Sequence, residues 1–168
     1  RKNKIPVNAE KMGLTILNKL RNSSPEELRE YAEINNGLEN RFIESALNCG
    51  SYSELINSIN TKFINQSRIQ RNLLHILFEL NKKEFAQIDR QGPAYLRLLG
   101  FNKKGKEILN KLNKKNSLPL ISKLTKYIQK INTESQNQVI KQLSYEIKAD
   151  DFFSLLYKNP AFRKARQD

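Results

Sequence analysis

The sequence predicts a mainly α fold: a multi-helix domain of 168 residues with a small two-stranded parallel β insert at about 95–99 and 118–121. Three observations carry that prediction. Apolar residues recur at helical spacing along most of the chain. Helix-start signatures, a Ser followed three residues later by Glu, recur as well. After Pro93 the pattern changes once, to a short apolar run, a helix and a second short apolar run.

Taken in order, Ser24 reads as an N-cap, with Pro25 at the first helical position and Glu27 closing a capping box. Asn35, Asn36 and Gly37 loosen or end that helix. The next carries Leu38, Phe42, Ile43 and Leu47 at helical spacing, and Gly50 stops it. Ser51 and Glu54 form a second capping box. Asn65 reads as the N-cap of a helix over 66–81, whose apolar side is Ile69, Leu73, Ile76, Leu77 and Leu80. Residues 82–92 read as a connection. Residues 95–99 read as a strand ending at Gly100, residues 103–115 as a helix through Ile108, Leu109 and Leu112, and residues 118–121 as a second strand. That succession implies a right-handed crossover and a parallel pair, with Pro119 tolerated at an edge. Residues 123–131 continue as helix. Thr133 with Gln136 opens another that reaches Ile147. Asp150 and Asp151 read as the charged start of a short last helix before Pro160.

Thirty Lys+Arg stand against seventeen Asp+Glu, a formal charge of +13. A balance this basic points to a polyanion, either nucleic acid or an acidic membrane surface; a lysine-rich solubilising surface is the plain alternative. The cations concentrate twice. On the helix over 66–81, Arg68, Arg71, Asn72 and His75 lie at i, i+3, i+4 and i+7, off the apolar side, with Lys62 shortly before. The apolar stripe is complete without them, so they face water, a neighbouring element or a ligand. Arginine forks match phosphate oxygens bidentately, and two on one face can bracket a nucleic-acid backbone; internal pairing of Arg68 with Glu54 or Glu79 is the competing reading. The second concentration is residues 103–130, with nine lysines and one acid, Glu107. There Lys103, Lys104 and Lys106 surround Gly105 at a helix start, where backbone N–H groups suit a phosphate, although no P-loop pattern occurs.

Other classes find little support. One His and one Cys leave no His/Cys metal cluster and no nucleophile–base–orienter set. Cys49 alone cannot form an internal disulfide, and no apolar run approaches the roughly 18 residues of a bilayer span. The first residues show no apolar signal core, so no membrane partner is expected and the cytoplasm is the expected compartment. The chain opens on Arg1 rather than Met, as a processed product or a piece of something longer would.

Four stretches in order, residues 24–42, 60–77, 94–109 and 118–124, together resemble the C-terminal half of the tRNA(Met) cytidine acetate ligases. The Gly-Leu-Glu-Asn-Arg segment at 37–41, the Ser-Arg-Ile-Gln-Arg segment at 67–71 and the Leu-Gly-Phe turn at 99–101 are its most specific parts. Thr61, Lys62, Arg68 and Arg71 match the family, whereas Phe63, Ile64 and Asn65 replace its usual Arg-Tyr-Thr. The resemblance implies one C-terminal helical domain over 1–168, with ATP bound by an upstream catalytic domain that carries a His-x-Gly-His motif. That motif is absent here, since the only histidine is His75. The chain alone is then not catalytic and holds no cofactor; its implied partners are tRNA and the N-terminal catalytic domain. Combined with the charge reading, the expected RNA-binding positions are Lys62, Arg68, Arg71, Arg97, Lys103, Lys104 and Lys106. The alternative is an interaction module that docks on the catalytic domain or forms a homodimer.

Overall fold

The computed structural model describes residues 10–112, 118–131, 133 and 137–165. Among them run α1 (Glu10–Arg21), α2 (Pro25–Glu30), α3 (Leu38–Asn48), α4 (Tyr52–Ile59), α5 (Gln66–Leu77), α6 (Lys82–Gln91), β1 (Leu96–Arg97), α7 (Lys103–Leu112), β2 (Leu120–Ile121), α8 (Thr125–Ile131) and α9 (Gln138–Ser154). A 3-10 turn follows at Pro160–Phe162. The mainly helical class and the parallel strand pair are as the sequence predicts. The chain divides into two compact units: Arg1–Gln87 with Phe152–Arg163, and Ile88–Asp151 with Lys164–Asp168.

In the first unit the caps form where the sequence puts them. The hydroxyl of Ser24 accepts from the Glu27 N–H at 3.1 Å and that of Ser51 from the Glu54 N–H at 3.2 Å. The Asn65 carbonyl oxygen accepts from the Arg68 N–H at 2.9 Å. Each cap satisfies one of the N–H groups that a helix start leaves without an intrahelical partner. The core joins Ile16 and Leu20 of α1 to Phe42, Leu55, Ile59, Ile69, Leu73 and Ile76, with Leu156 completing it. Helix α1 goes beyond the sequence reading. Its Glu10 carboxylate caps α4 from outside, accepting from the Tyr52 N–H at 3.1 Å, the Ser53 N–H at 2.9 Å and the Ser53 hydroxyl. Gly13 makes that approach possible, because a Cβ there would stand 3.0 Å from both the Cβ and the backbone nitrogen of Tyr52. Arg21 donates to the Ala46 and Cys49 carbonyls, both at 2.8 Å, at the C-terminal end of α3.

Several boundaries differ from the sequence reading. Helix α2, expected to reach Asn35–Gly37, ends at Glu30, where Tyr31 turns to extended backbone. Helix α5 stops at Leu77 rather than at residue 81, since Glu79 adopts φ 58°, outside the right-handed helical region. The stretch 82–92, expected as a connection, is helix α6. Asn81 accepts from the Glu84 N–H at 2.9 Å and donates to the Glu84 carboxylate at 2.8 Å, a capping pair concealed by a segment that buries none of its residues. Asp150 and Asp151 lie in the closing turns of α9 and do not open a new helix. Charge at that end opposes the helix dipole, so the expected role is corrected.

The second unit is built around the strand pair. The strands are shorter than the 95–99 and 118–121 expected, and they align Leu96 with Leu120 and Arg97 with Ile121. Leu96 and Leu98 donate to the Pro119 and Ile121 carbonyls, both at 2.9 Å, so the second strand acts as acceptor in both bonds and the missing N–H of Pro119 is not called on. Ile121, Leu124, Leu143 and Ile147 are buried together. Helix α9 opens at Gln138, with Asn137 accepting from the Val139 N–H at 2.9 Å; the expected opening residue Gln136 lies outside the described residues. Gln142 then grips the Gly92–Ala94 turn, donating to the Gly92 carbonyl and accepting from the Ala94 N–H, both at 2.9 Å.

Candidate nucleic-acid interface

The α4–α5 turn is shaped by Thr61, whose hydroxyl accepts from the N–H of Phe63 at 3.3 Å and of Ile64 at 3.2 Å. Its own N–H donates to the Ile64 carbonyl at 3.1 Å. Lys62 and Phe63 are exposed at this turn, Phe63 at 92%.

The polar side of α5 meets a neighbouring element, the 31–37 loop. Arg68 donates to the Asn35 side-chain carbonyl at 3.3 Å. Arg71 grips Glu33 with both arms of its fork, at 2.5 and 3.2 Å. Asn72, fully buried, donates to the Glu33 carbonyl at 3.5 Å, and His75 Nδ1 lies 3.0 Å from the Ala32 carbonyl. A carbonyl only accepts, so Nδ1 carries the proton. The four residues at i, i+3, i+4 and i+7 therefore clamp one loop. Asn36 sits at φ 58°, a left-handed conformation that Asn tolerates, whereas Glu33, at φ 61°, adopts it at a cost of about 1–2 kcal/mol. The clamp offsets that cost. Glu79, a candidate partner for Arg68, binds Lys19 instead, at 2.8 Å.

In the second unit Arg97 is held within the fold. Its Nε donates to Glu146 at 2.9 Å, and Nη1 reaches the Ile121 carbonyl at 3.4 Å. Tyr95 donates to the same carboxylate at 2.5 Å. Burial, then this bond to an anion, pushes the Tyr95 phenol well above its ordinary pKa. Lys103, Lys104 and Lys106 are exposed on the first turns of α7, with no ion pair among the described residues. The Gly105 N–H, one of those the sequence offers to a phosphate, donates to the Asn102 side chain at 2.9 Å.

The expected positions thus separate into three kinds. Arg71 and Arg97 have carboxylate partners, Arg68 has a neutral amide, and Lys62, Lys103, Lys104 and Lys106 project into solvent. Sequence reasoning passed over the apolar surface beside the lysines. Leu99 is 88% exposed, and Phe101 and Ile108, 60% and 57% exposed, line an open groove of about 440 Å³. Among the described residues, no group of three or more His, Cys, Asp or Glu could hold a metal ion, and no helix is long and apolar enough to cross a membrane.

A fold of packed helices with one short parallel pair and a lysine-bearing turn defines a basic helical class of protein. The chain belongs to the HIGH nucleotidyl transferase family, whose model matches residues 1–168. It is 44% identical over 163 residues to the tRNA(Met) cytidine acetate ligase of Halothermothrix orenii, a match covering 97% of this chain and 39% of that protein. The enzyme of the same name from Acetivibrio thermocellus is 40% identical over 165 residues, with the same two shares. Among solved structures, apo Thermotoga maritima TmcAL superposes with a TM-score of 0.87 at 29% identity, covering 99% of this chain and 40% of that one. The chain therefore spans about two fifths of the length of the relatives it matches.

Proposed function

We propose that this chain is the tRNA-holding, C-terminal part of an enzyme resembling tRNA(Met) cytidine acetate ligase. In this reading the chain grips the transcript, and an N-terminal part of a longer cytoplasmic protein binds ATP and acetylates the cytidine. The observation that carries it is the set of exposed lysines 103, 104 and 106, which point to solvent without an ion pair among the described residues. An ammonium in that situation gives up little to meet a phosphate, whereas Arg71 and Arg97 would first have to leave a carboxylate. Lys62, and Arg68 through the donors that Asn35 leaves open, act as secondary contacts. Arg71 is taken up in holding the 31–37 loop, and Arg97 in holding the strand pair.

The test is titration of the purified chain with tRNA at several salt concentrations, for wild type and for Lys103→Glu/Lys104→Glu/Lys106→Glu. Each lost phosphate contact should lower the slope of log affinity against log salt by about 0.7–0.9, so the triple variant should lose between about two and three units of slope. A wild-type affinity indifferent to salt, or a triple variant with unchanged slope, would overturn the proposal.

A further inference from the structure

We propose that the groove between the Leu98–Asn102 turn and the first turns of α7 receives an unstacked base of the bound RNA, with Phe101 as its stacking face. The inference rests on the tRNA-holding reading and adds to it the part of the RNA that is recognised. Leu99, Phe101 and Ile108 expose 88%, 60% and 57% of their surface within ten residues. Such apolar crowding in water marks an interaction site. The groove is lined by Leu98, Phe101, Asn102, Gly105, Ile108 and Leu109, and its volume of about 440 Å³ lies in the range of small-ligand pockets, about 300–1,000 Å³.

Three details favour a base over an apolar side chain. The walls are apolar but include an aromatic ring, the surface that stacks on any base regardless of sequence. One polar group enters: the Asn102 amide, whose oxygen is engaged by the Gly105 N–H, leaves its NH₂ to donate to a base edge. Gly105 keeps the floor low, because a Cβ there would stand 3.1 Å from the Phe101 Cβ. Exposed Lys103, Lys104 and Lys106 lie on the same helical turns, so the groove has an apolar centre and a cationic rim. A base attached to its own phosphates fits both. An acidic peptide would answer the rim and leave the aromatic centre without a flat partner.

The experiment compares Phe101→Ala, Phe101→Trp and the triple lysine reversal in tRNA titrations across salt. A single-stranded oligonucleotide carrying 2-aminopurine, whose fluorescence falls on stacking, is added as a second probe. Loss of one stacked base should weaken binding about 5- to 150-fold in Phe101→Ala with the salt slope unchanged, and Phe101→Trp should restore it. Quenching of 2-aminopurine should follow the same order. Wild-type affinity and quenching in Phe101→Ala, with a steep salt slope retained, would overturn the base site and leave the tRNA-holding reading intact. A flat slope would remove both. Displacement of the oligonucleotide by polyglutamate as effectively as by unlabelled single-stranded RNA would also overturn the base site.

Discussion

The pairing of Arg71 with Glu33 gives the sharpest test of what the α5 arginines do. Arg71 is 53% exposed and Glu33 30%, so the pair belongs with partly screened surface ion pairs, and two bonds from one fork place it at the upper end, about 1 kcal/mol. The strain of Glu33 at φ 61° is of similar size, about 1–2 kcal/mol. Arg71→Ala should therefore lower stability by about 1 kcal/mol, a shift of about 0.5 M in the urea midpoint at an m-value of about 2 kcal/mol per M. Glu33→Gly removes the pair and the strain together, so the two terms offset and stability should change by less than about 1 kcal/mol. The double variant Arg71→Ala/Glu33→Ala should show a coupling near the full value of the pair. The assay is urea unfolding of the single and double variants, paired with tRNA titration of Arg71→Ala. An Arg71→Ala protein as stable as wild type, with a salt slope lower by about one, would refute the clamp and return Arg71 to the phosphate-binding set.

Three more outcomes follow from the packing. Gly13→Ala gains helix propensity of about 1 kcal/mol but drives a methyl to 3.0 Å from Tyr52, an overpacking cost of about 1–3 kcal/mol; the midpoint of urea unfolding should fall, and a rise would show that α1 and α4 have room. The Arg29 guanidinium, 2.8 Å from Glu39, is the main cause holding that carboxyl below the usual range. A depressed carboxyl contributes stability that is present above its unfolded pKa and lost as pH falls through the folded one, so Glu39→Gln should flatten the acid limb of stability against pH, and an unchanged limb would contradict the pairing. Leu143 is fully buried in the second unit, and Leu143→Ala should cost about 2–5 kcal/mol in unfolding monitored by circular dichroism; a cost below 1 kcal/mol would refute tight packing around it.

What could be read in the sequence was local. Ser24, Ser51 and Asn65 each announce a helix through a bond three residues away, and those bonds are present at 2.9–3.2 Å. The parallel pair was legible because its two apolar runs flank a helix. Helix α6 was not, since few apolar residues mark it and its evidence was the Asn81–Glu84 cap alone. The face of α5 shows the deeper limit. Its spacing kept the four polar residues off the apolar stripe but did not show that Asn72 and His75 are buried against the 31–37 loop; choosing between water, ligand and neighbour required the left-handed turn at Glu33, which brings a carboxylate 38 positions distant against Arg71. Among the described residues the lysines of α7 at 103, 104 and 106 have no such neighbour and stay exposed. The apolar groove beside them went unread, because Leu99, Phe101 and Ile108 look in sequence like any core residues.

The chain has one imidazole, and the fold sets it between the Ala32 carbonyl and the Phe85 ring, whose centroid lies 5.4 Å away. In a proton spectrum it should give one pair of imidazole signals, displaced by the current of the neighbouring Phe85 ring. Any event that loosens the 31–37 loop, whether a substitution, a denaturant or a docked partner, should move those two lines, so the molecule comes with its own label beside the left-handed turn at Glu33.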